Sequence, residues 1–212
     1  GVSRISVNLN QLNYTGLPQP ALNEESELNP VSLYAETKID CERFLLNFWR
    51  EGKLSPVMLR FSTAFGVSGR TRFDLTVNSF TYEAIKDKKI IAFAENSWRP
   101  FIHVVDMSRI YLRMLELPKE KISGKILNAG WNEQNYTKRQ IIDMIMEVLG
   151  KFEVDYINTI EDRRSYRVDF SKINALLGFK PAMTVQQGVA EIAKAIQTGL
   201  LTELDFEMNK LK

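Results

Sequence analysis

A tyrosine and a lysine four residues apart carry the clearest chemistry in this sequence. Tyr34 and Lys38 flank the start of a stretch, Ala35 to about Trp49, whose alternating charged and apolar residues predict a helix, with Pro30 upstream where a helix could begin. At this spacing the two side chains share one helix face. A phenol has a pKa of about 10, and a close cation favours phenolate by roughly 1–3 units. Such a tyrosine can exchange a proton with a hydroxyl or carbonyl oxygen.

The residues around Tyr34 and Lys38 are a more specific signal of function than the pair itself. A tyrosine and a lysine at this spacing more often have only a structural role. The run NPVSLYAETK, Asn29 to Lys38, resembles the active-site segment of the extended short-chain dehydrogenase/reductases, the nucleotide-sugar epimerases and dehydratases. The resemblance implies that Tyr34 is the catalytic acid/base, and that Lys38 lowers its pKa and holds the nicotinamide ribose. It further implies NAD or NADP as cofactor, a nucleotide-sugar substrate, and a homodimer formed through the helix that carries Tyr34.

A buried strand is the next recognisable element. The apolar run at 56–61 predicts a strand that ends in a loop at 65–70. It resembles the family's Leu-Arg element, which passes beside the nicotinamide ring and ends in glycine. The resemblance makes Phe61 and Thr63 cofactor neighbours, with Thr63 in a position that Asn often holds.

The run RPFIHVVD, Arg99 to Asp106, closely resembles a specific family signature. Arg99 is expected to bind the diphosphate, because a guanidinium can take phosphate oxygens in a bidentate manner. His103 has a pKa suited to acid/base work, but a lone histidine in an apolar run is more often a core residue, and the family uses it structurally. Asp106 is expected to cap the following helix, and Thr137 with Gln140 predicts a capping box further on.

Two more stretches resemble substrate-binding regions. The helical stretch that opens at Thr71 resembles the part of the family that grips the phosphates, so Arg72 and Asn78 are candidates; solvated helix positions explain either residue equally well. Further on, the resemblance implies that Asp162 reaches the nucleotide ribose or base. Asp169 is expected to cap the helix that follows it.

The elements together predict an α/β fold. The resemblance implies the C-terminal part of a doubly wound, Rossmann-like parallel sheet with a small α+β substrate lobe. Residues 1–70 would form the remaining Rossmann-like part with the catalytic helix, and residues 71–212 the interleaved substrate-binding lobe and last sheet strands. None of the eleven glycines builds the Gly-x-x-Gly-x-x-Gly turn that seats a pyrophosphate, so the cofactor-binding half is expected to be absent from these residues. Asn10 stands about where the family has its catalytic Ser or Thr.

Composition limits the partners. The net charge is +2, with Lys and Arg scattered among Asp and Glu, which argues against nucleic acid. No apolar run approaches the roughly 18 residues that span a bilayer, and the N-terminus lacks a signal-peptide pattern, so no membrane partner is expected. The single cysteine, Cys41, permits no internal disulfide and no cysteine-based metal site. This favours a reducing cytoplasm and no metal, with Cys41 used for packing.

Two functions remain open from the sequence. In the first, the chain belongs to an NAD(P)-dependent nucleotide-sugar epimerase, dehydratase or reductase, in which a Tyr-Lys proton transfer is coupled to hydride transfer. In the second, it is a truncated or non-catalytic relative that binds a nucleotide-sugar or a protein partner without redox chemistry. The intact Tyr34/Lys38 pair and Arg99 favour the first; the missing glycine turn and Asn10 favour the second.

Overall fold

The structure is a computed structural model that describes residues 21–30, 32–157 and 165–208. The helices are α1 (Leu33–Arg50), α2 (Thr76–Lys86), α3 (Val104–Glu116), α4 (Lys119–Ile122), α5 (Lys138–Leu149), α6 (Ser171–Leu177), α7 (Val185–Gln197) and α8 (Glu203–Met208). The strands are β1 (Met58–Phe61), β2 (Thr63–Phe65), β3 (Lys89–Phe93), β4 (Trp98–His103), β5 (Ile126–Ala129), β6 (Asn135–Thr137) and β7 (Glu153–Ile157).

Parallel pairing dominates the sheets. Strand β1 pairs with β5, β2 with β4, and β3 with β7, all in parallel, while β6 runs antiparallel to β4. Parallel neighbours need a long crossover, and helices supply it here, so the sequence of elements and the pairing agree. The predicted mixed α/β fold with parallel strands is confirmed. The division at residue 70 stays a prediction.

Helix α1 begins two residues earlier than its sequence pattern predicts. Ser32 is its N-cap, and the Ser32 hydroxyl accepts a hydrogen bond from the amide of Ala35 at 3.3 Å. The buried side of α1 consists of Ala35, Ile39 and Glu42. Phe44, whose place in the apolar pattern predicts burial, is instead 59% exposed. The reason is that Glu42 faces the sheet to pair with a buried arginine, and this turns Phe44 outwards.

Strand β1 places α1 and α3 on opposite faces of the sheet. Successive side chains of a strand point to opposite faces. The Arg60 side chain meets Glu42 of α1, whereas the ring of the next residue, Phe61, lies 5.1 Å from the ring of Tyr111 on α3. All four side chains of β1 are buried, as expected for a strand covered on both faces.

Two apolar clusters form most of the core. One lies around β1 and β5 and is covered by α3 and α6. The other joins α2, α5 and α7 to β2 and β3. The largest fully buried side chains of the two clusters are Phe65, Phe73, Phe101, Phe170, Ile90, Ile110, Leu127, Ile141, Ile142, Ile145, Ile173 and Ile192.

His103 has the structural role expected from its apolar surroundings. Its side chain is fully buried, its Nδ1 accepts a hydrogen bond from the amide of Val105, and its Nε2 lies 2.8 Å from a carboxylate oxygen of Glu191. Because Nδ1 accepts, the network assigns the ring proton to Nε2, which then donates to Glu191. His103 therefore starts α3 and ties it to α7.

The expected cap at Asp106 is wrong. His103 occupies the N-cap position, so Asp106 lies inside the first turn of α3 and is completely buried. Its carboxylate accepts hydrogen bonds from the backbone amides of Ala182 and Met183, at 2.9 and 3.1 Å, and from Arg109. The Asp106 carboxylate is thus used in a tertiary contact that the sequence spacing does not reveal. Helix α3 begins three residues earlier than a cap at Asp106 would place it.

Other local expectations have mixed outcomes. The capping box of Thr137 and Gln140 is confirmed. Asp169 accepts hydrogen bonds from the amide and hydroxyl of Ser171, although Phe170 takes the N-cap position of α6. Cys41 is exposed rather than packed. Among the described residues, no helix is long and apolar enough to cross a membrane, and no group of three or more His, Cys, Asp or Glu is placed to hold a metal.

Candidate active site

The first turn of α1 brings Tyr34 and Lys38 together as their spacing predicts. The Lys38 ammonium lies 5.3 Å from the centroid of the Tyr34 ring. The Tyr34 side chain is 52% exposed, and Lys38 is half-buried. Ser32, two residues before Tyr34, caps the start of the helix. The phenol is thus presented to a ligand in solution with a cation held beside it.

Arg72, a candidate phosphate ligand, is held by an acidic neighbour. Its guanidinium donates to both carboxylate oxygens of Asp74, with Nε at 3.0 Å from Oδ1. The hydrogen bond with Asp74 raises the pKa of Arg72, and burial opposes that rise.

An open cleft lies at the carboxyl ends of β1 and β5. Parallel α/β sheets bind ligands at this edge. The cleft is lined by Leu22, Asn23, Arg60, Phe61, Ser62, Pro100, Asn128, Tyr166, Val168 and Phe170. Polar groups that can orient a ligand therefore alternate with apolar walls. Phe61, predicted beside the cofactor, is on this wall, and Thr63 follows at the start of β2, half-buried.

A buried ion pair joins α1, the helix that carries Tyr34, to the wall of the cleft. Arg60 donates from Nε to Glu42 Oε1 at 3.0 Å and from Nη2 to Glu42 Oε2 at 2.8 Å. The two side chains are only 8% and 4% exposed. Glu42 lies one helical turn beyond Lys38 and two beyond Tyr34. The pair thus sets the position of α1 against β1, a role that neither residue's sequence context suggested.

A short segment before α1 covers the ends of β1 and β5. Leu22 forms a parallel bridge with Val168. The Glu24 carboxylate accepts a hydrogen bond from the amide of Asn128 at 2.7 Å, and the Glu24 carbonyl accepts one from Arg60 at 3.5 Å. The sequence gives no sign of these contacts, because the partners of Glu24 are distant along the chain.

The structure brings Arg99 to the edge of the cleft. Its guanidinium lies 5.4 Å from the ring centroid of Tyr166, a residue of the cleft wall, and donates to the carbonyl of Trp98 at 2.8 Å. Arg167 stacks on the ring of Trp98 in the same way, at 5.3 Å. Asp162 lies outside the described residues, and so does Asn10.

Asn78 shapes a loop. It is buried, its side-chain oxygen accepts a hydrogen bond from the amide of Gly66 at 3.0 Å, and its side-chain nitrogen donates to the carbonyl of Arg72 at 2.9 Å. The amide thereby holds the connection from β2 to α2, including the backbone of Arg72. Its expected role as a direct phosphate ligand stays a prediction.

The sequence matches the profile of the NAD dependent epimerase/dehydratase family over residues 14–130, which is more than half of its length. The chain belongs to this family. The matched range includes the catalytic helix, β1 and the Arg99 signature, so the resemblance read from these motifs is confirmed.

Several relatives of this family member can be named. The UDP-glucuronate 4-epimerase of Thermodesulfobacterium geofontis is 24% identical over 192 residues, which cover 89% of this chain and 58% of the relative. The human dTDP-D-glucose 4,6-dehydratase is 25% identical over 186 residues, covering 83% and 51%. The chain thus spans little more than half the length of the curated relatives it matches.

Solved structures show the same fold. The UDP-glucuronic acid 4-epimerase of Bacillus cereus, crystallised with UDP-glucuronic acid and NAD, superposes with a TM-score of 0.76 at 24% identity. The match covers 93% of this family member and 60% of the solved chain. A dTDP-glucose 4,6-dehydratase from Bacillus anthracis, in complex with NAD, superposes with a TM-score of 0.75 at 21% identity. These likenesses confirm the Rossmann-like architecture.

Proposed function

We propose that this chain supplies the proton-transfer pair and the substrate side of an NAD(P)-dependent nucleotide-sugar epimerase, dehydratase or reductase. The observation that carries the proposal is the exposed Tyr34 phenol with the Lys38 ammonium 5.3 Å from its ring centroid, in a member of the epimerase/dehydratase family. Tyr34 would exchange a proton with a hydroxyl of the sugar, and the charge of Lys38 would stabilise the phenolate.

The residues present fit the nicotinamide end of a dinucleotide. Phe61 and Ser62 line the cleft where β1 ends, and the carboxyl end of a parallel strand is the usual place for such a ligand. Lys38, Phe61 and Thr63 would hold that end of NAD or NADP, and Tyr34 would stand beside it. The bound cofactor supplies hydride chemistry at the sugar carbon whose hydroxyl proton Tyr34 moves.

Arg99 is the proposed anchor of the nucleotide-sugar diphosphate. Its place on the ring of Tyr166 restrains the guanidinium at the edge of the cleft, which lowers the entropy lost when it binds an anion. We propose Asp162 for the nucleotide ribose or base, and Asn78 for the phosphates. The named relatives carry the names of enzymes that act on UDP- and dTDP-sugars, which supports this substrate class.

A homodimer formed through α1 is part of the proposal. The outer side of α1 exposes two large apolar side chains that a second copy would cover, Leu33 and Phe44. A monomer in light scattering at working concentration would count against it. The cytoplasmic location expected from the single cysteine stays a prediction. The alternative of a binding protein without redox chemistry is not favoured, since the named relatives carry enzyme names.

The test combines binding with turnover. Titration calorimetry of the purified protein with UDP-glucuronate should show binding, and Arg99→Ala should weaken it by about tenfold or more, the value of a charge-assisted hydrogen bond. With NAD and the part of the T. geofontis epimerase outside the region matched by this chain both present, NMR should detect conversion of the sugar, and Tyr34→Phe should reduce it by roughly 10²–10⁴-fold without weakening binding. Equal turnover by Tyr34→Phe would exclude the assigned role of Tyr34. A protein that binds no UDP-, ADP- or dTDP-sugar would exclude the function.

A further inference from the structure

Three aromatic rings from different elements pack together behind the connection between β2 and α2. Phe73 belongs to this connection, Tyr82 to α2 and Phe206 to α8. The ring of Phe206 lies 3.9 Å from that of Tyr82 and nearly parallel to it, at 12°, and it meets the ring of Phe73 edge-on with the centroids 5.3 Å apart. Phe73 and Tyr82 also meet edge-on, at 5.4 Å. The three rings therefore form a closed cluster in which each packs on both others.

Phe206 is the main apolar contact between α8 and the core. Within α8, all of which the structure describes, it is the one buried residue, with 7% of its surface exposed. The other large apolar side chains of the helix, Leu204 and Met208, are exposed. The apolar packing of α8 therefore depends on one ring, and that ring lies on Phe73 and Tyr82.

The same connection, residues 66–75, carries Arg72 next to Phe73. The Phe73 ring is 1% exposed, whereas the Arg72 side chain is 42% exposed and available to a ligand. Arg72 pairs with Asp74 through Nε and Nη2, so its Nη1 group remains for an anion. A buried ring thus lies between the two residues of a partly exposed ion pair. A movement of Phe73 would therefore displace the Arg72 guanidinium.

Hydrogen bonds from two helices hold the first part of this connection. Asn78 of α2 accepts from the amide of Gly66 at 3.0 Å and donates to the carbonyl of Arg72 at 2.9 Å. The carboxylate of Glu191 on α7 accepts from the amide of Val67 at 3.1 Å. These bonds fix the backbone as far as Arg72, and the aromatic cluster fixes it from the next residue onwards.

We propose that Phe206 is a positioning residue for Arg72. By packing on Phe73 it holds the second part of the connection in place, so that the Arg72 guanidinium is set to bind the phosphates of a nucleotide-sugar. A side chain on a fixed backbone loses less entropy when it binds an anion. The choice of ligand rests on the proposed function, whereas the packing of Phe206 on the connection does not depend on it.

Amide hydrogen exchange tests the packing without a ligand. In Phe206→Ala, the amides of Gly66 and Val67 should exchange about tenfold or more faster than in the parent, because the loosened connection opens locally. Phe179→Ala is the matched control. Phe179 is equally buried, at 7%, but it belongs to the cluster around β1 and β5 and packs on the guanidinium of Arg109. The control should lower the melting temperature to a similar extent and change these two exchange rates by less than about twofold.

Calorimetric titration with UDP-glucuronate tests the role in binding. Phe206→Ala should weaken binding by about threefold to tenfold, because the protein no longer holds the Arg72 side chain in advance. Phe206→Leu keeps an apolar side chain in the cluster and should restore most of the affinity. In an Arg72→Ala background, Phe206→Ala should have no further effect, since the side chain that it positions is gone.

Unchanged exchange at Gly66 and Val67 in Phe206→Ala would overturn the proposal. So would a loss of affinity that is the same with and without the Arg72 side chain, or the same in Phe206→Ala and Phe179→Ala. The failure of the proposed function is distinguishable from these results. A parent chain that binds no nucleotide-sugar would exclude that function and the role of Arg72, while faster exchange would still show that Phe206 fixes the connection.

Discussion

Removing the charge of Glu42 should destabilise the protein far more than removing an exposed carboxylate of the same helix. Glu42→Gln keeps the shape of the side chain but leaves the Arg60 guanidinium, 8% exposed, without a counter-charge. Breaking a buried pair in this way costs roughly 3–5 kcal/mol of the free energy of unfolding. For a chain of this size that corresponds to a fall in melting temperature on the order of 10 °C.

The measurement is urea unfolding followed by circular dichroism, with the midpoint shift converted through the common slope. Asp40→Asn is the matched control. Asp40 lies two residues away on α1 and pairs with Arg43 at 3.4 Å, but both side chains are more than 70% exposed. Such a surface pair is worth about 0–1 kcal/mol, so the control should be nearly neutral.

A double variant separates the charge from the packing. Glu42→Leu/Arg60→Met replaces both ions with apolar groups, and it should recover most of the stability that Glu42→Gln loses, because no buried charge is left alone. The reasoning would be refuted if Glu42→Gln and Asp40→Asn cost the same. It would also be refuted if the stability lost by the double variant equalled the sum of the losses of Glu42→Leu and Arg60→Met measured separately. That result would mean that the two side chains are not coupled.

Two further predictions concern other parts of the fold. Gly188→Ala in α7 should destabilise by about 1–3 kcal/mol in thermal unfolding, despite the better helix propensity of Ala, because its Cβ would collide with the buried ring of Phe65; a stabilised variant would show that the helix can move away. Hydrogen bonds from Ser171 lower the pKa of Asp169 below its ordinary 3.8. The contribution of the Asp169 carboxylate to stability is present above its unfolded-state pKa and is lost as the pH falls through its folded-state pKa. The stability lost by Asp169→Asn, about 1 kcal/mol or less, should therefore shrink as the pH falls below 3.8. If urea unfolding gave the same difference in stability between Asp169→Asn and the parent at pH 6 and pH 2.5, the prediction would be contradicted.

The sequence predicted those features of the structure that depend on residues close together in the chain. The helix that holds Tyr34 and Lys38, the capping box at Thr137 and Gln140, and the buried run of β1 depend on neighbours within a few residues. The family resemblance also depends on short sequence motifs, and the fold of the chain was therefore predictable from them.

The sequence did not predict the features that depend on a partner far along the chain. Glu42 is a charged residue in a pattern that predicts solvent exposure, yet it is buried because Arg60 comes 18 residues later. Its burial also turned Phe44 outwards. Aspartate is a residue type favoured at helix N-caps. The carboxylate of Asp106 instead accepts a hydrogen bond from the backbone amide of Ala182, 76 residues away. The hydrogen bond between Glu24 and Asn128 belongs to the same class of contact.

The hydrogen bond between Glu24 and the amide of Asn128 has a consequence for how the site is assembled. It spans 104 residues, and it closes the floor of the cleft with a segment that precedes α1. Closing so long a loop carries a large entropic cost, so such non-local contacts form late in folding. A growing chain would therefore have the residues of α1 long before it has this wall of the cleft. A translation product that stops before β5 would carry Tyr34 and Lys38 without the complete cleft.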